Sequence, residues 1–455
     1  MRPGLVASFV SRGSRWFRTV GWLLGWVLTS GFVSANEPQQ APNILLLIAD
    51  DLGWRDIGYH DSEIRTPHLD KLAAAGVRLE RHYVYPTCSP TRAGLLTGRA
   101  PSRFGIYAPI DGRSTASLPR EVPTLAKVLK ERGYVTALFG KWHLGLRPEV
   151  GPRQFGFDQT YGYLHGQLDQ LTHVYKNGDR TWHRNDQLLE EKGHATDLIT
   201  EETIRFLSTK RTAPFFLYVA FSVPHVPLQE EDRWLAPYME SIPDPSRRAY
   251  AASITHLDDA VGRIVAALEK AGQRDKTLVL FTSDNGGQRD HRSTTDYGGK
   301  HGPYPTLGDN RPWRGWKGEL YEGGIRVPAL VSWPGRLQAG VLRETISCLD
   351  WFPTCASLAG ARIDPSWQLE GRDVGPLLTG QERRPPLRTL YWRTPNAAAV
   401  LEGDWKLIVP QRRAADVELY HLAGDFAEKK NLAEENPAKV EALRKILGEQ
   451  KQLDR

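Results

Sequence analysis

Asn43-Ile44-Leu45-Leu46-Leu47-Ile48-Ala49-Asp50-Asp51-Leu52-Gly53 is the stretch from which the fold is read. A continuous apolar run without polar alternation suits a strand buried on both faces, and such strands belong to sheets covered by helices on both sides. The run ends on two adjacent carboxylates. Asp50 and Asp51 repel each other, so they need a cation, a proton or open solvent. A solvated turn and a cation site are both open readings of the pair alone.

Three later runs repeat the design. Tyr134 to Phe139 exits into Gly140-Lys141-Trp142-His143, Phe215 to Phe221 into Ser222-Val223-Pro224-His225, and Thr277 to Thr282 into Ser283-Asp284-Asn285-Gly286-Gly287. Helical stretches separate them: one opening at Thr66-Pro67 with Leu69, Leu72 and Ala73 inward, one from Pro123 to Gly133, and one from Tyr250 to Lys270 with Ile254, Leu257, Val261, Ile264, Val265 and Leu268 on one stripe. This predicts an α/β protein with a large central, mostly parallel-type mixed sheet flanked by helices. Open α/β sheets build sites at the carboxyl ends of their strands. Taken singly, Lys141 reads as a surface lysine, His143 as a hydrogen-bonded histidine and His225 as a loop histidine. The repeated placement is what selects them.

Between the first two runs lies Cys88-Ser89-Pro90-Thr91-Arg92-Ala93-Gly94-Leu95-Leu96-Thr97-Gly98-Arg99. Pro90 suits a first helical turn and Leu95-Leu96 begins a buried face, so Cys88 should precede a helix N-terminus, with Arg92 one turn in. Free N–H groups and the helix dipole there would favour an anion. A lone cysteine is otherwise a small buried hydrophobe.

The chain has 455 residues and a formal charge of +6, but Met1 to Ala35 contain four arginines and no acid, so the remainder carries +2. Global charge therefore gives no argument for nucleic acid. Arg2, Arg12, Arg15 and Arg18 precede an apolar run from Val20 to Val33 and the small residues Val33-Ser34-Ala35, the layout of a cleaved export signal over 1–35. A retained anchor is the alternative; after cleavage no stable membrane association is expected, and the location is periplasmic or secreted. Three cysteines make no disulfide framework. Cys348 and Cys355 fall on one helical segment about 11 Å apart, too far to bridge, and read as core. Fourteen tryptophans suggest aromatic surfaces for sugars, and Gln154 to Asn185, rich in Tyr, Trp, His and Asn, reads equally as a sugar-binding or a packed surface segment.

Residues 36–384 are expected to form the main domain. After Pro385-Pro386, short strand-like pieces (Leu390 to Trp392, Ala399 to Leu401, Trp405 to Ile408, Glu418 to Tyr420) and a helix opening at Asn436-Pro437 predict a C-terminal subdomain over 385–455, an antiparallel sheet with one helix. Asp50, Asp51, Asp284 and Asn285 offer oxygen ligands only, which favours Ca²⁺ or Mg²⁺ over Zn²⁺.

Cys-x-Pro-x-Arg followed by Leu-Thr-Gly-Arg resembles the signature of the type I sulfatases. Asp50-Asp51, the Cys88 segment, Lys141-Trp142-His143, Pro224-His225, Ser283-Asp284-Asn285-Gly286 and Lys317 to Pro328 are similar to that family in order and approximate spacing. Tyr161 to Gly166 with Asn310 to Gly315 looks most like the arylsulfatase B branch, which acts on sulfated amino sugars. The resemblance implies that Cys88 is converted to formylglycine by a maturation enzyme. It implies that one Ca²⁺ is held by Asp50, Asp51, Asp284 and Asn285 and touches the modified Cys88. It also implies that Lys141 and Lys317 bind the sulfate oxygens and that Arg92 holds the hydrated aldehyde. His225 with Lys317 would serve the leaving oxygen, His143 would take a proton as sulfate leaves, and Asp284 would assist the attacking hydroxyl. The implied substrate is a sulfated carbohydrate, a glycosaminoglycan or algal fragment with N-acetylgalactosamine 4-sulfate among the candidates. Related two-metal phosphatases have a histidine where Asn285 stands, which favours one metal here. A phosphoester or phosphonate hydrolase, and a non-catalytic sulfated-glycan binder with Cys88 left as a thiol, are the competing readings.

Overall fold

β1 (Asn43–Ala49) is the centre of the large sheet and every one of its residues is buried. In this computed structural model, residues 41–382, 385–412 and 416–455 are described. The export signal expected at 1–35 lies outside them. Eight of the remaining nine strands follow in chain order: β2 (Val77–Leu79), β3 (Val135–Lys141), β4 (Gln159–Tyr163), β5 (His183–Arg184), β6 (Gln187–Leu188), β7 (Phe215–Ala220), β8 (Thr277–Ser283) and β9 (Ala329–Ser332). With β10 (Gly340–Leu342) they form one sheet of order β10-β2-β9-β8-β1-β7-β3-β4-β5-β6. The block β8-β1-β7-β3-β4 is parallel throughout. β9 runs antiparallel to β8 and β2, and β5 and β6 fold back at the other edge.

Alternation along β1 divides the interior. Ile44, Leu46 and Ile48 enter one core; Leu45, Leu47 and Ala49 enter the other. The first is covered by α2 (Cys88–Thr97), α3 (Leu125–Glu131) and α6 (Trp351–Leu358). The second is covered by α1 (Pro67–Ala74), α4 (Ala195–Ser208) and α5 (Pro245–Lys270). Burial on both faces is what the uninterrupted apolar run demands.

Boundaries differ from the sequence reading where caps decide them. α3 starts at Leu125 because the Thr124 side chain accepts from the Lys127 N–H. α5 starts at Pro245, ahead of its apolar stripe, because Asp244 Oδ1 accepts from the Arg247 N–H at 2.8 Å. Cys348 lies in a 3₁₀ turn preceding α6, and it and Cys355 are free and buried. β3 runs on to Lys141 through Gly140, which has φ +105° and where a Cβ would meet the Ala220 carbonyl oxygen at 1.8 Å.

The C-terminal segment forms an antiparallel sheet of β11 (Thr389–Arg393), β12 (Ala397–Glu402), β13 (Trp405–Pro410) and β14 (Glu418–His421), with α7 (Pro437–Gln452) against it through Val440, Leu443 and Leu447. Its apolar residues join the first core, and Trp392 Nε1 donates to the Val84 carbonyl at 2.8 Å. Among the described residues no helix is long and apolar enough to cross a membrane.

Candidate active site

The order β8-β1-β7-β3 sets four carboxyl ends side by side. Ala49 lies opposite Ser283, and Gly140 opposite Ala220. Asp50-Asp51, Lys141 and His143, His225, and Asp284-Asn285 therefore leave neighbouring strands on one rim. α2 supplies Cys88 as its first residue, after the extended Thr87, and ends at Gly98 with φ +64°. All ten of its residues are buried, so it is a core helix presenting its N-terminus to the rim. Gly94 permits this, since a Cβ there would stand 2.9 Å from Leu349.

Three carboxylates face three cations. Lys141 Nζ is 2.6 Å from Asp50 Oδ2, Lys317 Nζ 2.7 Å from Asp51 Oδ2, and Arg92 Nη2 2.7 Å from Asp284 Oδ2. Arg92 also donates from Nη1 to the Lys141 carbonyl. The Asp50, Asp284, Arg92 and Lys141 side chains are fully buried; Lys317 is 15% exposed and marks the open side. Burial, and next the nearness of Asp284, raise Asp50 to about 7 against the pull of Lys141. Burial would raise Asp51 too, but the Lys317 charge, with hydrogen bonds from Lys317 and Asn285, outweighs it and holds it at about 2. Lys317 and Arg92 stay charged, because Asp51 and Asp284 respectively overcome the cost of burial.

The two histidines have fixed tautomers. His143 Nε2 lies 2.8 Å from the Ile110 carbonyl and must donate, so Nδ1 carries a lone pair, and it faces Cys88 Sγ at 3.2 Å. Burial, then Lys141, push His143 well below its ordinary value. Cys88 is itself raised by burial, so the pair is a neutral thiol facing a neutral base. His225 Nδ1 lies 2.7 Å from the Val226 carbonyl, leaving Nε2 toward Asp51 Oδ2 at 3.7 Å. Burial and Lys317 keep it neutral as well. At the rim His143 and Asp51 have φ +55° and +71°, two of the non-glycine residues held in the left-handed region.

The residues present fit a hard cation. Asp50 Oδ1 and Asn285 Oδ1 are buried without a hydrogen-bond partner, an arrangement that costs free energy unless something positive fills it. Asn285 Nδ2 donates to Asp51 Oδ1 at 2.7 Å, which turns its oxygen to the same side. Asp50, Asp51 and His225 bring ligand-type atoms within 4.8 Å of one another. Asp284 is turned away in part, with Oδ2 on Arg92 and Oδ1 accepting the Asp51 N–H. Oxygen-rich donors of this kind suit Ca²⁺ or Mg²⁺.

A cleft of about 470 Å³ opens over the cluster; Gln167, His225, Gln288, Arg289, His291, Trp316 and Lys317 line it. Several groups that shape the site carried no signal in the sequence, because they act through main-chain atoms or isolated polar residues. Ser89 Oγ donates to the His143 carbonyl at 2.8 Å and accepts the Ile110 N–H at 3.0 Å, holding the carbonyl that sets the His143 tautomer. Its place inside the cysteine motif was the one available hint. The aromatic segment turns inward: Tyr161, Tyr163, Tyr175 and Trp182 are buried, and Trp182 stacks on His173 at 4.4 Å. Those rings build core, and among the Trp, Tyr and Phe side chains of the described residues it is Trp316 that lines the cleft.

The Lys317 loop is held from two sides. Lys317 N–H donates to Gly287 and Gly318 N–H to Pro86. Arg314 donates to Tyr420 and to the Glu428 carbonyl, which ties the loop to the C-terminal sheet.

Chemically, the rim can seat a small tetrahedral anion beside a potential nucleophile, which defines a hydrolase of anionic esters on an α/β scaffold. A family model for sulfatases matches residues 42–361, and one for the C-terminal part of N-sulphoglucosamine sulphohydrolase matches 314–453. The chain belongs to the sulfatase family, a family of sulfuric ester hydrolases. It is 36% identical to mouse arylsulfatase J over 80% of this chain and 60% of the mouse protein. It is 34% identical to N-acetylgalactosamine-6-sulfatase of the dog, over 85% of this chain and 75% of that protein. The crystal structure of Ps i-CgsB in complex with k-i-k-neocarrahexaose superposes with a TM-score of 0.81 at 30% identity, covering 91% of this chain and 94% of that one.

Proposed function

We propose that this protein hydrolyses sulfate esters of a carbohydrate, with Cys88 converted to formylglycine by a separate maturation enzyme and one Ca²⁺ held by Asp50, Asp51, Asp284 and Asn285. The observation that carries the reading is Cys88 Sγ, 3.2 Å from the lone pair of a tautomer-locked histidine and beside carboxylate–cation pairs with two unpartnered oxygens.

When present, the hydrated aldehyde supplies one hydroxyl to attack sulfur and a second whose deprotonation releases sulfate. A divalent cation held by Asp50, Asp51, Asp284 and Asn285 would supply positive charge to bind and orient the oxygens of an anionic ester. The chain's own residues do the rest. Lys141 on Asp50 and Lys317 on Asp51 are the cations nearest the mouth of the site, and they would be the donors to the ester oxygens if those carboxylates held a cation. Arg92, buried and fixed on Asp284 and the Lys141 carbonyl, orients the residue at 88. His143 Nδ1 is placed to accept a proton from the group at Cys88, and its neutral state at rest makes it a base. Lys317, charged and at the mouth, donates to the leaving oxygen. His225 becomes a donor at Nε2 once an anion bound beside it favours its charged form. A metal-ligating Asp284 is a weak base, so its share in deprotonation is secondary.

Relatives named for N-acetylgalactosamine 6-sulfate and the neocarrahexaose complex support a sulfated carbohydrate as substrate, a glycosaminoglycan or algal fragment; an N-acetylgalactosamine 4-sulfate-like residue rests on the arylsulfatase B resemblance alone. Arg289 and Trp316 supply a second cation and an aromatic face for the sugar. The same reading makes the protein an exported one, with 385–455 as a subdomain supporting the Lys317 loop.

The test is paired: the mass of the peptide containing Cys88, and turnover of 4-nitrophenyl sulfate against 4-nitrophenyl phosphate. Formylglycine with sulfate turnover at least about 100-fold faster supports the reading. Faster phosphate turnover favours the phosphoester hydrolase. Unmodified thiol in maturation-competent cells, with sulfated sugars bound but not cleaved, favours the binder.

A further inference from the structure

Asn310 stands where three parts of the site meet. It is 1% exposed and does not line the cleft. Its Oδ1 accepts the Gly287 N–H at 2.8 Å, and its Nδ2 donates to the Gly287 carbonyl at 2.9 Å and to the Gly315 carbonyl at 3.1 Å. Only one orientation of the amide makes all three bonds, and it uses both hydrogens of Nδ2. Gly287 comes two residues after Asn285, and Gly315 two before Lys317. One side chain thus joins the loop of the candidate cation site to the loop that carries Lys317.

The third part is a hairpin. Gly308 N–H donates to the Gln288 carbonyl and Leu307 N–H to that of Arg289, while His291 and Tyr304 exchange two bonds at 2.8 Å. Gln288, Arg289 and His291, on one arm, line the cleft. The paired Gly287 and Asn310 close the base of that hairpin.

The junction is closely packed. A Cβ on Gly287 would stand 2.9 Å from Gly53 Cα and 3.1 Å from Asn310 Oδ1, and one on Gly53 would stand 2.6 Å from the Asp309 carbonyl oxygen. The Gly287 carbonyl also accepts the Lys317 N–H at 3.2 Å, so Asn310 and Lys317 share one acceptor. What fixes that carbonyl fixes the main chain from which Lys317 reaches Asp51. The other ties of Lys317 and its neighbour, Nζ to Asp51 and Gly318 N–H to Pro86, hold neither Gly287 nor Gly315.

We propose that Asn310 is a positioning residue: its neutral amide, donating twice and accepting once, sets the Lys317 loop against the Asn285 loop and so holds the Lys317 ammonium where the leaving oxygen of the ester arrives. This rests on the role given to Lys317 above. A carboxylate in place of the amide has the same shape but no donor, and would set an oxygen against two carbonyl oxygens. The loss would fall on donation to the leaving oxygen, which poor leaving groups need most.

The test uses full-length matured protein carrying Asn310→Asp. Asn310→Ala, which removes the same donors without adding charge, keeps the test open if the aspartate variant does not fold. Two quantities are read: the ratio of kcat/KM for 4-nitrophenyl sulfate to that for phenyl sulfate, and hydrogen exchange of the peptide containing Lys317. The ratio should rise about tenfold and the exchange should quicken about tenfold. Placed on Lys317→Ala, Asn310→Asp should add no further rise, because the two changes then remove one effect. An unchanged ratio, with both esters slowed alike as a merely structural residue would slow them, or a second full rise on Lys317→Ala would overturn the positioning role. Unchanged exchange would overturn the tie itself. Wild-type protein that hydrolyses neither ester would sink the proposed activity, and the exchange would then decide by itself whether Asn310 holds the Lys317 loop.

Discussion

Two buried ionic clusters in this molecule look alike and are built to opposite ends. At the rim, Asp50, Asp51 and Asp284 face Lys141, Lys317 and Arg92. Beneath the Lys317 loop, Lys406 Nζ lies 3.0 Å from Glu322 Oε1 and 2.8 Å from Glu428 Oε1, all fully buried. In the second cluster three of the four carboxylate oxygens accept a hydrogen bond, Glu322 Oε1 from Lys406, Glu322 Oε2 from Tyr83 OH at 2.9 Å and Glu428 Oε2 from the Glu322 N–H at 2.7 Å, and the fourth, Glu428 Oε1, has the Lys406 ammonium beside it while burial raises its carboxyl. Lys406 and Arg326 overcome burial and hold Glu322 below the usual carboxylate range. In the first, two oxygens are orphaned and Asp50 is pushed up to about 7. Buried charge is costly, so oxygens left with neither a cation nor a donor inside a protein mark a place for a ligand, whereas a cluster whose carboxylates both meet one lysine joins parts.

The contrast breaks most sharply at Cys88. Cys88→Ala should lower kcat/KM for 4-nitrophenyl sulfate by at least about 10⁴-fold, with the thermal midpoint almost unmoved; activity above a hundredth of wild type would place the nucleophile elsewhere. Next in size, Lys406→Met strands two buried carboxylates and should cost about 3–5 kcal/mol in urea unfolding; a change under about 1 kcal/mol would mean that the second cluster joins nothing. Third, Ca²⁺ at about 100 times its Kd should add about 2.7 kcal/mol of stability. Asp51→Asn should erase that gain and Lys406→Met should not.

The smallest effect separates histidine-built from lysine-built closure. His256 sits between Glu230, at 2.8 Å, and Asp197, at 3.4 Å. Burial opposes its charge, but the Asp197 and Glu230 carboxylates outweigh that and raise it to about 9. A raised folded-state value means this stabilisation is complete below about 6.5 and is lost as pH rises through 9. His256→Gln should flatten the stability profile between those limits; an unchanged slope would show that the ring is not charged.

Why some of this was legible in the sequence can be said residue by residue. Four strands announced themselves because burial on both faces leaves no room for polar alternation, and Asp50, Lys141, His225 and Asp284 were found because each stands just beyond such a run. Which strands are neighbours was not legible: β1 lies between β7 and β8, and nothing local in Asn43 to Ala49 says so. The acceptors that aim the side chains were hidden too, since Ile110 and Val226 act through their carbonyls. The aromatic segment stayed open to two readings because composition does not distinguish a ring that faces a sugar from one such as Trp182 that faces a strand.

Asn43 stands at the head of β1, and its amide reaches Thr277 across 234 residues and the Phe215 N–H across 172. The middle of the sheet thus waits for partners that the ribosome delivers late, and closing loops of that length carries a large entropic toll before any contact rewards it. The first third of the chain must stay unpaired until then. We expect slow acquisition of structure and a premium on whatever shields Ile44 to Ile48 in the interval.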